Sequence, residues 1–373
     1  MSSAGPLAGL RVIEFAGIGP GPFAGMLLAD MGADVIVIER PAQLRTLGGG
    51  DAMNRGKRSI CLDLKKPAAL AAVKALVDNS DALIEGYRPG VMERLGLGPE
   101  AFAQSNPRLV YGRVTGWGQS GPLAQSAGHD INYVAITGAL SIATRQGVPP
   151  SLPATLLGDM AGGAMFLVFG LVCALLEAKN SGRGQVVDAA MVDGVSCLTA
   201  LIHSLRGGGL WADSPAQNFF LHASPFYDCF ECADGRYLSL GAIEPPFYRE
   251  LLQRLELDDV DPARQYDSRD WPALRERVAR RLKEKPRDAW AALLEGSDAC
   301  AAPVLNLTEA AEHPHQRARG NFVEVDGRLQ PTAAPRFSRT PARPPGAAPQ
   351  PGQHGAELLA ELGLSAAQIA ALG

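Results

Sequence analysis

An imidazole and a carboxylate stand out among the residues that could do chemistry. The first lies in Gly128-His129-Asp130-Ile131-Asn132-Tyr133 and the second in Gly158-Asp159. Both groups can exchange protons near neutral pH, the histidine by nature and the aspartate if its surroundings raise its pKa. The flanking sequence has neither a nucleophile motif nor a metal-ligand spacing. One reaction that needs only such a pair takes a proton from one face of a carbon and returns one to the other, with one group as base and its partner as acid. Each residue also has a plainer reading. A histidine in an apolar segment can be a satisfied core residue, and an aspartate ahead of an apolar run can be a helix N-cap.

The elements that must hold these residues follow from periodicity. Strands are predicted over 10–15, 34–39, 59–64, 81–85 and 109–114, with helices over 22–31 and 67–79 between them. This alternation predicts an α/β fold, a parallel sheet covered on both faces. Apolar helices are expected over 159–178 and 187–205. The stretch 160–176 approaches the shortest membrane span, about 17 residues. It is Gly-rich and flanked by Asp159 and Glu177, which predicts a buried core helix and no membrane association. Beyond about residue 220 the pattern becomes α+β: a hairpin over 226–240 turning at Ala233-Asp234-Gly235, then helices over 244–255, 271–283 and 288–294. A Pro/Ala-rich stretch, 332–352, reads as a linker or surface strap before a short helix over 356–362.

Composition narrows the function. The chain has 373 residues, 46% of them hydrophobic, which predicts about two domains. Its net charge of −4 is well mixed, without the basic stripe of a nucleic-acid binder. Six scattered cysteines suit a reducing compartment, so a cytoplasmic location is expected. Cys229-Phe-Glu-Cys232 falls in a strand-like alternation and reads as packing rather than as a redox or zinc motif. Met1-Ser-Ser-Ala-Gly-Pro6 does not read as a secretory leader, nor Ala371-Leu372-Gly373 as a peroxisomal address.

Ala16-Gly17-Ile18-Gly19-Pro20-Gly21-Pro22 sits where a dinucleotide fold carries its glycine fingerprint, and Glu39 stands where such folds keep an acid for the ribose. The match fails at position 22, a proline. Pro20 and Pro22 also remove two N–H donors from a loop that would need them for a pyrophosphate. A nicotinamide or flavin site is not expected.

Several segments resemble family III coenzyme A transferases. They are Pro6-Leu-Ala-Gly-Leu-Arg-Val-Ile-Glu-Phe15 with the run from Gly21 to Arg40, then Asn54-Arg-Gly-Lys-Arg-Ser-Ile-Cys-Leu-Asp-Leu-Lys65, Ile84-Glu-Gly-Tyr-Arg-Pro-Gly90 and Gly184-Gln-Val-Val-Asp-Ala-Ala-Met-Val-Asp-Gly194. Within that family, Gly128 to Tyr133 and Gly241-Ala-Ile-Glu244-Pro-Pro-Phe-Tyr248 look like the α-methylacyl-CoA racemase branch. The resemblance implies a Rossmann-like large domain, a smaller α+β domain and an interlocked homodimer with shared active sites. The domains would be 1–220, 221–325 and a strap, 326–373, returning to the first.

It also implies an acyl-CoA thioester as substrate, with no separate cofactor and no metal. The reaction would interconvert (2R)- and (2S)-2-methylacyl-CoA through an enolate, with His129 and Asp159 as the acid–base pair. Glu244 or Asp130 would orient the imidazole. Backbone N–H groups near Asp159 could bind the enolate oxygen. Arg40, Lys65, Arg88 and Arg94 are candidates for the CoA phosphates, and Leu62, Asp63, Leu64, Gly86, Tyr87, Gly128, Asp130, Ile131, Asn132 and Tyr133 for the rest of the ligand. Two other readings stay open. In a CoA transferase Asp159 would be a nucleophile, and a non-enzymatic acyl-CoA binder would not depend on His129.

Overall fold

The computed structural model describes residues 5–40, 51–145, 147–212, 214 and 217–372. Residues 1–4 and 373, on which the expectations about targeting signals partly rest, lie outside these. The chain divides into two compact units. One comprises Met1–Thr137, Pro153–Leu198 and His315–Gly373, the other Gly138–Leu152 and Thr199–Pro314. The second unit thus takes in 138–152 and 199–220, which the sequence assigns to the large domain, and the chain re-enters the first unit at 315 rather than 326.

The first unit is built on β1 (Arg11–Phe15), β2 (Asp34–Glu39), β3 (Arg58–Cys61), β4 (Ala82–Glu85), β5 (Val110–Thr115) and β6 (Val186–Ala190), all parallel, in the order β3-β2-β1-β4-β5-β6. Strands such as Val35–Ile38 are buried throughout because helices cover both faces. Leu28 and Ala24 of helix Pro20–Asp30 pack with Leu167 and Leu171 on one face, and Val73 and Leu76 of helix Pro67–Asp78 pack with Leu358 on the other. In this order the chain turns opposite ways from β1 and β4, so a crevice opens at their carboxyl ends.

The sixth strand corrects a sequence expectation. The stretch 187–205 is not one helix but β6 followed by helices Met191–Leu198 and Ala200–Gly207. Val186 and Val187 pair with Tyr111 and Gly112 of β5, whose backbone groups would otherwise form a bare edge. A second correction concerns the apolar segment Leu156–Ser181. It is long and apolar enough to cross a membrane, yet only a third of its most apolar window is buried. Leu167, Leu171, Ala174 and Ala178 form the packed stripe, while Phe169, Val172 and Leu176 are exposed. β3 also ends early. Leu62-Asp63-Leu64 leaves the strand because the Asp63 carboxylate accepts the Lys65 N–H at 3.1 Å and Pro67 then opens a helix.

The C-terminal stretch lies on the first unit. Buried Arg55 donates to both oxygens of Asp30 and to the Pro331 carbonyl, and the Arg343 N–H bonds the Asp30 carbonyl at 2.8 Å. Ser59 donates to Glu39 and accepts the Gly352 N–H at 2.7 Å. Glu39, the position of a ribose-binding acid in dinucleotide folds, is therefore buried beneath the chain's own C-terminal segment.

The second unit holds an antiparallel sheet of β7 (Tyr227–Glu231), β8 (Tyr237–Gly241) and β9 (Ala301–Pro303). It packs against helices Pro245–Arg254, Trp271–Leu282 and Arg287–Leu294 around Phe226, Trp271 and Trp290. Cys232 lies in this core, and burial pushes the thiols of Cys229 and Cys232 up.

Candidate active site

A cleft of about 430 Å³ opens at the carboxyl ends of β1, β4 and β5, entirely within the first unit. Phe15 and the loop Gly17–Pro22 form one wall, Gly86-Tyr87-Arg88-Pro89 a second, and Val114–Trp117 with Ala127-Gly128-His129 a third. Tyr133, Asp159 and Met191 complete it. The topology therefore brings His129 and Asp159, thirty positions apart, into one crevice at the switch point of the sheet.

His129 occupies the N-cap of helix Asp130–Ile136 with an extended backbone (φ −137°, ψ 172°). Its carbonyl accepts the Asn132 N–H at 2.8 Å, and its own N–H donates to Asn132 Oδ1 at 3.1 Å. Both bonds fix the backbone and leave the imidazole, which is exposed, on the cleft. Tyr133 supports the same turn from behind. Its hydroxyl donates to the Gly128 carbonyl, and its ring meets Trp117 edge-on at 4.7 Å. A Cβ at Gly116 would lie 2.0 Å from that ring and one at Gly128 2.6 Å, so two glycines make room for the tyrosine.

Asp159 is not a helix cap. Thr155 precedes the first, wide turn, and Asp159 lies within it. The N–H of such a residue lacks an intrahelical partner. Here it donates to Asp130 Oδ1 at 2.7 Å. Asp130 is buried, and its carboxylate fills space that Gly158 leaves, since a Cβ there would come within 2.5 Å of Oδ1. Asp130 is thus committed to the Asp159 backbone, and that N–H is engaged rather than open to an enolate.

Burial first, and the like charge of Asp130 second, push the Asp159 carboxyl up to about 6 against the opposing pull of His129. An aspartate in this state can donate as well as accept a proton near neutral pH.

The glycine-rich loop has a role that its poor fit to a nicotinamide motif conceals. Gly19 has φ 74° and ψ −117°, and a Cβ there would meet Asp159 Oδ2 at 3.0 Å. The loop is therefore the wall against which Asp159 rests. Pro20 and Pro22 open the following helix, where missing N–H groups are harmless. Ile18, Thr115, Trp117 and Met191 also line the cleft and carry no signal in the sequence taken one segment at a time.

Of the proposed ligand residues, Gly86, Tyr87, Arg88, Gly128 and Tyr133 line the cleft. The Arg40 guanidinium lies over the Tyr87 ring, 5.8 Å from its centroid. Arg94 is exposed at the end of helix Val91–Arg94, while Leu62 is buried and Lys65 exposed after β3. Ile131 and Asn132 are exposed on the first turn of the His129 helix. Glu244 belongs to the second unit, exposed at the N-cap of helix Pro245–Arg254. Among the described residues no three or more His, Cys, Asp or Glu side chains are grouped to hold a metal ion.

The chain is similar to α-methylacyl-CoA racemase of mouse, 42% identical over 97% of this chain and 95% of the relative, and to that of human, 40% identical over the same shares. A CaiB/BaiF family protein of Brucella suis has the same fold, with a TM-score of 0.81 at 27% identity, covering 96% of this chain and all of the other. The model of CoA-transferase family III matches residues 7–355, and the chain belongs to that family.

Proposed function

We propose that the protein is an isomerase that interconverts the two configurations of 2-methylacyl-CoA thioesters by proton transfer through an enolate. The observation that carries the reading is the pairing of His129 with a half-buried aspartate raised to about 6 across one cleft. The identity of 40–42% to curated racemases over nearly the whole chain supports it.

A two-base mechanism needs one group to accept while the other donates. In one direction His129 starts neutral and Asp159 protonated, and in the other the imidazolium faces the carboxylate. Both starting states hold one proton on the pair, so a single enzyme form serves both directions. Asp130 keeps the Asp159 proton from leaving too readily and holds its backbone. Tyr133 and Asn132 hold the turn that presents His129. The thioester carbonyl draws the electron pair left when the α-proton departs, and no covalent bond to the protein is required.

Arg88 at the cleft and Arg40 beside Tyr87 supply cationic forks for CoA phosphates. For Glu244 the support as a residue that orients the imidazole is the sequence resemblance alone. We also propose a homodimer. The uncovered apolar face of Phe169, Val172 and Leu176 supports an interface there, and size-exclusion chromatography with light scattering should report twice the mass of one chain. The scattered cysteine spacing of the sequence supports a reducing, cytoplasmic setting.

The test is incubation with one enantiomer of a 2-methylacyl-CoA in deuterated water, followed by NMR. Exchange at the α-carbon with loss of configuration is expected without an added acid acceptor. Absence of exchange, with CoA passing to an added carboxylic acid, would make Asp159 a nucleophile and the protein a transferase. Binding without either reaction would make it an acyl-CoA carrier.

A further inference from the structure

Arg113 lies on β5 behind the cleft and is 8% exposed. Its guanidinium meets three segments. Nε is 3.3 Å from Glu85 Oε1 at the end of β4, Nη2 pairs with Glu93 of helix Val91–Arg94, and Nη1 donates to Gln119 Oε1 at 2.9 Å in the loop after β5. Its carbon centre stands 5.1 Å from the Tyr111 ring. Two of these partners, Glu85 and Gln119, lead toward different walls of the cleft. Glu85 Oε2 accepts the Tyr87 N–H at 2.7 Å and so fixes the loop Gly86-Tyr87-Arg88. Gln119, whose N–H donates to Asp188 Oδ2 at 3.0 Å, lies in the stretch that runs on to His129.

We propose that Arg113 is a positioning residue that joins the Tyr87–Arg88 wall of the cleft to the wall carrying His129, holding the CoA-binding and proton-transfer halves of the site in register. The inference deepens the racemase reading and rests on it for the kinetic part alone. The two terminal nitrogens of the planar fork donate to Glu93 and Gln119 while its charge faces Glu85, a spread of contacts that a point-like ammonium cannot reproduce.

Electrostatics agrees with the geometry. Burial pushes the Glu85 carboxyl up to about 7, while the Tyr87 N–H and Arg113 oppose the rise. The charged and titratable groups facing it are Arg113 and Tyr111 on β5, Asp188 on β6, Glu93 on its helix and the adjoining Tyr87. Without the arginine, nothing among these is a cation to hold Glu85 ionised.

The test uses the full chain and free coenzyme A as probe, by titration calorimetry, alongside racemisation kinetics. Arg113→Gln is expected to weaken CoA binding about 10-fold, the scale of one charge-assisted bond, and to lower kcat as well. Arg113→Lys, which keeps the charge without the fork, should recover less than half of the lost CoA affinity on a logarithmic scale. Glu85→Gln keeps an acceptor for Tyr87 and should raise KM with little change in kcat. Gln119→Ala cuts only the second tie and should lower kcat with CoA binding unchanged.

Wild-type CoA affinity in Arg113→Gln, full recovery by Arg113→Lys, or equal effects of the Glu85 and Gln119 variants on KM and kcat would each overturn the proposal. Should Arg113→Gln not fold, the Glu85 and Gln119 pair decides alone. CoA affinity does not depend on which reaction is catalysed, so absence of racemisation in the wild type sinks the functional reading without deciding the role of Arg113.

Discussion

Asp159 in the first unit and Asp228 in the second are the same residue type, and burial acts first on both by favouring the neutral acid. Their neighbours then diverge. Asp228, with no exposed side-chain area, faces Arg275, Arg145 at 2.7 Å and the His222 ring at 2.5 Å, and accepts the Cys229 N–H at 2.7 Å. These partners hold its carboxyl below the usual carboxylate range. Asp159 has a second carboxylate, Asp130, against its own backbone, and rises to about 6. Asp228 is surrounded by compensating charge, whereas Asp159, the proposed proton carrier, has a like charge beside it and His129 alone in opposition.

The comparison breaks most sharply at the proposed acid–base pair. His129→Ala and Asp159→Asn should each lower racemisation by at least ~10²-fold, the lower end of what a general acid or base contributes. Neither should change CoA affinity much. Each variant keeps one base, so α-exchange in deuterated water should persist for one enantiomer alone, and the opposite enantiomer in the other variant. Full racemisation by either protein would remove that residue from the mechanism.

Stability should separate the two aspartates in the opposite sense. Asp228→Asn leaves cations facing a neutral amide and should cost on the order of 2–3 kcal/mol near neutral pH, because the partners are only partly solvated. The sign follows from its lowered pKa. Its contribution is present above the ordinary carboxylate value and disappears as pH falls through the lower folded value, so variant and wild type should converge in acid. Asp159 has a raised pKa, so its ionisation works against folding as pH rises from the ordinary carboxylate range through about 6. Asp159→Asn should therefore be more stable than the wild type above that pH, by about 1 kcal/mol once solvent screening is allowed for. Urea unfolding at pH 5 and pH 8 checks both signs. A destabilised Asp159→Asn at pH 8 would make that residue structural.

Gly158→Ala tests the link between the carboxylates. The added methyl would lie 2.5 Å from Asp130 Oδ1, so the Asp130 side chain must move and release the Asp159 N–H. A fall in kcat of roughly 10-fold is expected, equivalent to one lost hydrogen bond, with KM little changed.

What the sequence conveys differs between local and non-local features. β1, β2, β4 and β5 are legible because each is a short apolar run closed by turn residues. Helix Pro67–Asp78 is legible because its apolar positions recur at helical spacing. β6 is not, since its burial pattern arises from pairing with β5 and its sequence is continuous with a helix. The exposed face of the helix Phe166–Ser181 is not, since apolar residues alone do not say what covers them. His129 and Asp159 were visible as residue types. The roles of Gly19 against Asp159 and Asp130 behind it were not, because both depend on contacts between segments far apart in the chain. The glycine-rich loop fits a nicotinamide fingerprint poorly in sequence, and its place as a wall of the site becomes visible only through the Gly19 contact with Asp159.

The smallest effect sharpens the comparison furthest. Asp130→Asn preserves an oxygen that can accept the Asp159 N–H and removes only the negative charge. In the proposed mechanism the active form carries one proton on the His129–Asp159 pair, so activity should fall in acid when a second proton binds and in base when the last one leaves, a bell whose limbs belong to the pair. Losing the Asp130 charge stabilises ionised Asp159 and makes the second proton harder to add. The acid limb of kcat/KM should move to lower pH by up to about one unit, while Asp130→Ala should combine that movement with a loss of kcat. If the limb stays in place in Asp130→Asn, burial alone sets the state of Asp159, and the contrast with Asp228 reduces to the cations around the latter.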